Sequence, residues 1–143
     1  MQNRTKNVCL PIFTLMAGLS LGALSYHAVS AQQTPPTKSK GLTSKILVKH
    51  DLGPQLPALQ GYYLQMRLVT IEPGGHGRLH SHEQRPVTHY ILQGTFSSCR
   101  PDGTCTDIQE GQTLAEGEDV RHWPENRGTK PAISLAVEIK KKP

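Results

Sequence analysis

Residues 73–82 read Pro73-Gly74-Gly75-His76-Gly77-Arg78-Leu79-His80-Ser81-His82, and this stretch decides the reading of the chain. His80 and His82 stand two apart. On an extended strand, side chains two apart leave from the same face, about 7 Å apart along the chain. Two imidazoles so placed can grip one divalent metal ion. The glycines in front of them permit a tight turn into that strand. Further on come His122 and Asn126, and a β-barrel would let His122 join the first pair. Three of the seven histidines are thus candidates for a single centre.

The segments on either side read as strands. Residues 62–71 alternate, with Leu64, Met66 and Leu68 facing one way and Gln65 and Arg67 the other, the period of a half-buried strand. Residues 78–82 form the next expected strand, then a loop runs through Glu83, Gln84, Arg85 and Pro86. Residues 87–92 continue as a strand that turns at Gln93 and Gly94. Residues 95–99 and 105–108 flank Pro101-Asp102-Gly103, a hairpin turn. Residues 43–49, 112–114, 120–123 and 132–139 complete the set, with a Gly- and Pro-bearing loop over 51–61. No segment has a helical period with caps. Many short strands punctuated by Gly and Pro predict an all-β sandwich or closed barrel.

The spacing of glycines and histidines resembles that of the cupin superfamily. Its first motif runs Gly, five residues, His-x-His, three or four residues, Glu, six residues, Gly; Gly74, His80, His82 and Gly94 keep that spacing. Its second runs Gly, five residues, Pro-x-Gly, two residues, His, three residues, Asn. Gly111, His122 and Asn126 match, with Gly117 and Asp119 replacing the Pro and Gly. The resemblance spans roughly residues 64–139. It implies a double-stranded β-helix, the cupin jelly roll, with His80, His82 and His122 holding a divalent transition metal. One departure stands out: Val87 occupies the position of the family's glutamate ligand. Valine cannot bind a metal, so the set is reduced to three histidines, as in the cysteine dioxygenases and their relatives. Metal identity and activity are left open. Imidazole donors suit Fe, Mn, Ni, Cu or Zn alike.

Other side chains follow from parity. His89 lies two residues from Val87 and shares its face, which makes it a candidate fourth ligand or pocket base. Glu83 follows His82 directly and should point away from it. Arg85 is either a barrel-mouth cation that meets an anionic substrate or a plain surface arginine. Trp123, next to His122, is expected to face outward as packing or an interface anchor, and Tyr90 to lie on the outer face. Cys99 and Cys105 bracket the hairpin turn and read as a disulfide; a pair of soft metal ligands is the alternative, without the close spacing of common zinc knuckles.

The chain opens with a basic end carrying Arg4 and Lys6, an apolar run over 12–24, and small residues up to Ala31. That order describes a secretory signal peptide over residues 1–31, with cleavage after Ala31 or Ser30. The alternative, an uncleaved anchor, would need about 20 apolar residues. Residues 32–42 then read as a flexible leader and 43–140 as one small domain. The expected location is the periplasm or the exterior, free of the membrane once the signal is removed, where a disulfide can persist.

Sixteen basic and eleven acidic residues make the chain mildly basic, with Lys140, Lys141 and Lys142 as a solvated tail. No basic cluster is interleaved with aromatics, so nucleic-acid binding has little support. No phosphate-cradling motif and no matched nucleophile and base are found. The partner expected is a small molecule. Two functions stand side by side: a metal-dependent enzyme, such as an oxygenase or isomerase, and a non-catalytic module that binds a small molecule or metal. Family resemblance also keeps a homodimer in view.

Overall fold

The computed structural model describes residues 34–143, and the signal segment expected over residues 1–31 lies outside the described residues. The described chain forms nine strands: β1 (Lys40–Asp51), β2 (Tyr62–His76), β3 (His80–Ser81), β4 (Val87–Gln93), β5 (Thr95–Cys99), β6 (Cys105–Gln109), β7 (Thr113–Glu116), β8 (Arg121–Glu125) and β9 (Ala132–Lys141). A 3-10 turn at Pro57–Leu59 interrupts the β1–β2 loop. The sheet order is β6-β5-β8-β2-β9-β4-β7, with β1 added to β2 and β3 to β8, every pair antiparallel. Strands distant in sequence become neighbours, and the sheet curls into a nearly closed jelly-roll barrel, as expected. Among the described residues, no helix is long and apolar enough to cross a membrane.

Period-two patterning sets which side chains enter the barrel. On β4, Val87, His89 and Ile91 are buried while Thr88, Tyr90 and Leu92 are exposed. The apolar core gathers Val69, Ile71, Val87, Ile91, Phe96 and Ile108 with Ala132 and Ala136. On β9 the inward residues are small or polar: Ala132, Ser134, Ala136 and Glu138. Small side chains on that strand keep the core from filling the barrel. Part of the interior stays open.

β2 shows the parity read from its sequence, but its interior face begins with the polar Gln65 and Arg67 before the core residues Val69 and Ile71. Gln65 is 3 % exposed and Leu64 37 %. Burial of these polar groups is possible because each finds a partner. Gln65 Nε2 and Arg67 Nε both donate to Glu138 Oε1, at 2.9 and 2.8 Å.

Two boundaries differ from expectation. β1 begins at Lys40, inside the stretch read as leader, because β2 is long enough to pair with it back to His76. The segment before it also touches the barrel: Leu79 N–H donates to Pro36 O, and Arg78 N–H to Ser39 Oγ. Those bonds occupy residues 78–79, so the strand expected over 78–82 shrinks to His80–Ser81. Trp123 sits on the face opposite His122, as expected, is 1 % exposed and borders a hollow with Thr34 and Pro36. It packs; it is not left open. Cys99 and Cys105 are cross-strand partners on β5 and β6 and form the expected disulfide.

Candidate metal centre

Four backbone hydrogen bonds join the two histidine segments. Gly74 N–H donates to Asn126 O, Asn126 N–H to Gly75 O, Gly77 N–H to Pro124 O, and His82 N–H to Val120 O. A side chain on Gly77 would collide with the Pro124 ring, since its Cβ would lie 2.7 Å away. The close approach is what glycine permits there. Asn126 is fully buried and pins the corner: its Nδ2 donates to Ile71 O and Lys130 O, and its Oδ1 accepts from Gly128 N–H. Its role is to hold the corner behind His122.

In this frame His80 and His122 are direct cross-strand partners of β3 and β8, and His82 follows one residue beyond β3. The three rings converge. His80 Nε2 lies 3.0 Å from His82 Nε2, which lies 3.1 Å from His122 Nε2. Two nitrogens bound at right angles to one metal, each at about 2.1 Å, would be separated by about 3.0 Å. His80, His82 and His122 form a group that could hold a metal ion.

The opposite ring nitrogens fix the protonation pattern. His80 Nδ1 donates to Arg78 O at 2.9 Å and His82 Nδ1 to Arg85 O at 3.3 Å. His122 Nδ1 lies 2.7 Å from Ser98 Oγ and 2.9 Å from Glu116 Oε1. A proton on every Nδ1 leaves every Nε2 with a lone pair, the form in which imidazole binds metal. Desolvation holds the His80 imidazolium below its usual range and pushes His82 down to about 4, with Glu116 pulling the other way. Lone pairs facing one another at 3.0 and 3.1 Å repel unless a cation sits between them. The donor set fits one.

His89 is not in this trio. It is 4 % exposed, its Nδ1 meets Ser134 Oγ at 3.1 Å, and its Nε2 lies 3.9 Å from Glu116 Oε2. Burial pushes it too down to about 4, against the pull of Glu116. It lines a cavity of ≈ 200 Å³ together with the three histidines, Phe96 and Arg85. Arg85 therefore stands at the cavity wall, where its Nη1 donates to Glu138 Oε2 at 3.3 Å. Glu83 is exposed and points away, and Tyr90 lies on the outer face, both as expected.

Sequence reasoning missed Glu116. It is 3 % exposed at the end of β7, with Oε1 accepting from Ser98 Oγ at 3.1 Å as well as from His122. Burial alone would raise its carboxyl, but the hydrogen bond from His122 and the neighbouring His122, His82 and His89 outweigh that and hold it below the usual range. The strand expected over 112–114 stops short of it, and its parity with Leu114 is the one faint signal. Alone, such an acid looks like a solvated loop-end residue.

A family model described as the cupin domain matches residues 67–138. No curated protein matches the chain. Among solved structures, the polyketide cyclase RemF from Streptomyces resistomycificus superimposes with a TM-score of 0.58 at 18 % identity, covering 76 % of this chain and 72 % of that one. A predicted oxalate decarboxylase from Thermotoga maritima gives 0.56 at 23 %, covering 77 % and 95 %. A cupin domain from Bordetella pertussis gives 0.54 at 15 %, covering 76 % and 98 %. At these identities the likeness is one of fold.

Proposed function

Because the chain belongs to the cupin family, whose domain it matches over residues 67–138, we propose that it binds a divalent transition metal through His80, His82 and His122 and acts on a small molecule there. The observation that carries this reading is the convergence of three Nε2 atoms whose Nδ1 partners all face acceptors. Bound there, a divalent cation supplies Lewis acidity and, if redox-active, oxygen chemistry. The chain's own residues orient and select. Arg67, Arg78 and Arg85 line the cavity, and Glu138 engages two of them. The wall keeps positive charge toward an entering ligand, which favours a small anion such as a carboxylate. A cavity of ≈ 200 Å³ lies below the range of drug-sized pockets and suits a compact molecule.

The reaction class we favour is oxygenase or isomerase chemistry, with His89 as the pocket base. Its Nε2 has no hydrogen bond among the described residues closer than the 3.9 Å approach of Glu116. A non-catalytic binding module is the second reading. It is favoured by the engagement of both nearby carboxylates, Glu138 by arginines and Glu116 by His122 and Ser98. Incubating metal-loaded protein with a panel of small carboxylic acids separates them: turnover supports the enzyme, and saturable binding without product supports the module. Weaker binding of anions by Arg85→Ala is expected in either case.

The reading includes export. The disulfide between Cys99 and Cys105 supports it, since such bonds persist in oxidising compartments. It also includes a homodimer. Its support is the apolar outer face of the sheet, where Leu64, Tyr90 and Leu92 are exposed beside the half-covered Leu135 and Val137. Sedimentation of residues 32–143 tests it, a monomer at micromolar concentration being the contrary result.

A further inference from the structure

The glutamate missing from the first histidine segment has a counterpart on the neighbouring strand. Val87 stands where that ligand would be, and its direct cross-strand partner on β7 is Glu116. Both are buried, at 2 % and 3 % exposure. In an antiparallel pair, opposed residues on one face have Cβ atoms only about 5 Å apart. A carboxylate on β7 therefore reaches the space that one on β4 would have filled.

The two oxygens of Glu116 are unequal. Oε1 accepts from His122 Nδ1 and Ser98 Oγ. Oε2 is fully buried and has no hydrogen-bond partner among the described residues. It lies 3.3 Å from His82 Nε2, the nitrogen that also approaches His80 Nε2 and His122 Nε2 at 3.0 and 3.1 Å. His82 Nδ1 already donates to Arg85 O. A second proton on His82 Nε2 could point at one of its three acceptor neighbours and would leave the other two in repulsion. A cation held by the three imidazoles, which Oε2 reaches beside His82, would relieve the contacts around His82 Nε2. A buried carboxylate oxygen with no donor is costly and rare, and a metal is what such an atom most simply awaits.

We propose that Glu116 Oε2 is the fourth protein ligand of the His80–His82–His122 centre, so that the carboxylate lost at Val87 is supplied from across the β4–β7 ladder. The inference rests on the metal-site reading above. It also gives Glu116 two duties, ligation through Oε2 and orientation of His122 through Oε1.

Co(II) is the probe, since its visible absorption reports the ligand set. Wild type, Glu116→Gln and the double variant Glu116→Gln/Val87→Glu are each titrated against a competing chelator. Glutamine keeps an oxygen for His122 Nδ1 and places a non-ligating NH₂ at the other position, so the fold is preserved. The single variant is expected to lose roughly 10–100-fold in Co(II) affinity and to change its visible spectrum; the double variant is expected to recover the wild-type band. An unchanged visible spectrum of the Co(II)-loaded Glu116→Gln variant overturns the ligand assignment, whether or not affinity falls. Failure of the wild type to bind Co(II) overturns the metal-site reading itself. Should Glu116→Gln not fold, the wild type still decides: the infrared stretch of a buried carboxylate must shift when Zn(II) is added, and no shift refutes ligation.

Discussion

His80 and His122 face each other directly across the β3–β8 pair, which is only two residues long on the β3 side. Strand pairing, rather than sequence proximity, thus brings the two histidine segments together. So short a pairing gains from a cation that clips its ends. Metal binding to the native state alone raises stability by RT ln(1 + [L]/Kd), about 2.7 kcal/mol at a hundredfold excess over Kd. A metal-dependent rise in melting temperature is expected for the wild type and its absence for His122→Ala. An equal rise in both would place the metal elsewhere.

Asn126 makes three hydrogen bonds from a fully buried position. Asn126→Ala strands the carbonyls of Ile71 and Lys130 and the Gly128 N–H. Only the Ile71 carbonyl is fully buried, since Gly128 and Lys130 are exposed and water can reach them, so a loss of about 1–3 kcal/mol is expected in urea unfolding. A loss below about 1 kcal/mol would contradict the pinning role.

Gly94 turns β4 into β5 with φ +72°, and a Cβ there would sit 2.8 Å from Pro131 O. Both the backbone conformation and the contact oppose a side chain. Gly94→Ala should destabilise by about 1–3 kcal/mol, measured as a shift in the denaturant midpoint. Gly103, also at positive φ, has open space around it and should lose less on the same change.

The metal-free protein should lose stability in mild acid. His82 and His89 are held at about 4 in the folded chain, chiefly by desolvation, against an ordinary value near 6.5. As pH falls, the unfolded chain takes up these protons first, so stability rises with pH across this window. It is fully present above about 6.5, declines as pH falls toward about 4, and levels off below that. For His89 the change amounts to about 3 kcal/mol, and His89→Gln should flatten the profile accordingly. A profile of wild type that stays level between pH 7 and 4.5 would refute the buried neutral imidazoles.

Much of this was legible in the sequence, for identifiable reasons. Strand positions follow period-two patterning, and β5 is found at the expected residues. The pairing of His80 with His82 follows from residue spacing, and His122 joins them through the resemblance of the second motif. Which face enters the barrel was harder. On β2 the apolar Leu64 faces outward while Gln65 faces inward, because the partner that accommodates Gln65 and Arg67, Glu138, is more than seventy residues away. Glu116 was hidden for the same reason. Its partners Val87, Ser98 and His122 lie on three other strands, and only the β4–β7 register sets it opposite Val87. Trp123 has the outward parity expected, and the hollow it shares with Thr34 and Pro36 is a feature that no periodicity announces.

The most direct test of the metal centre is elemental analysis of protein purified without chelating resin, beside His80→Ala and His122→Ala. One equivalent of a transition metal in the wild type, and little in either variant, is the expected result. Metal-free wild-type protein that no divalent ion stabilises would contradict the account.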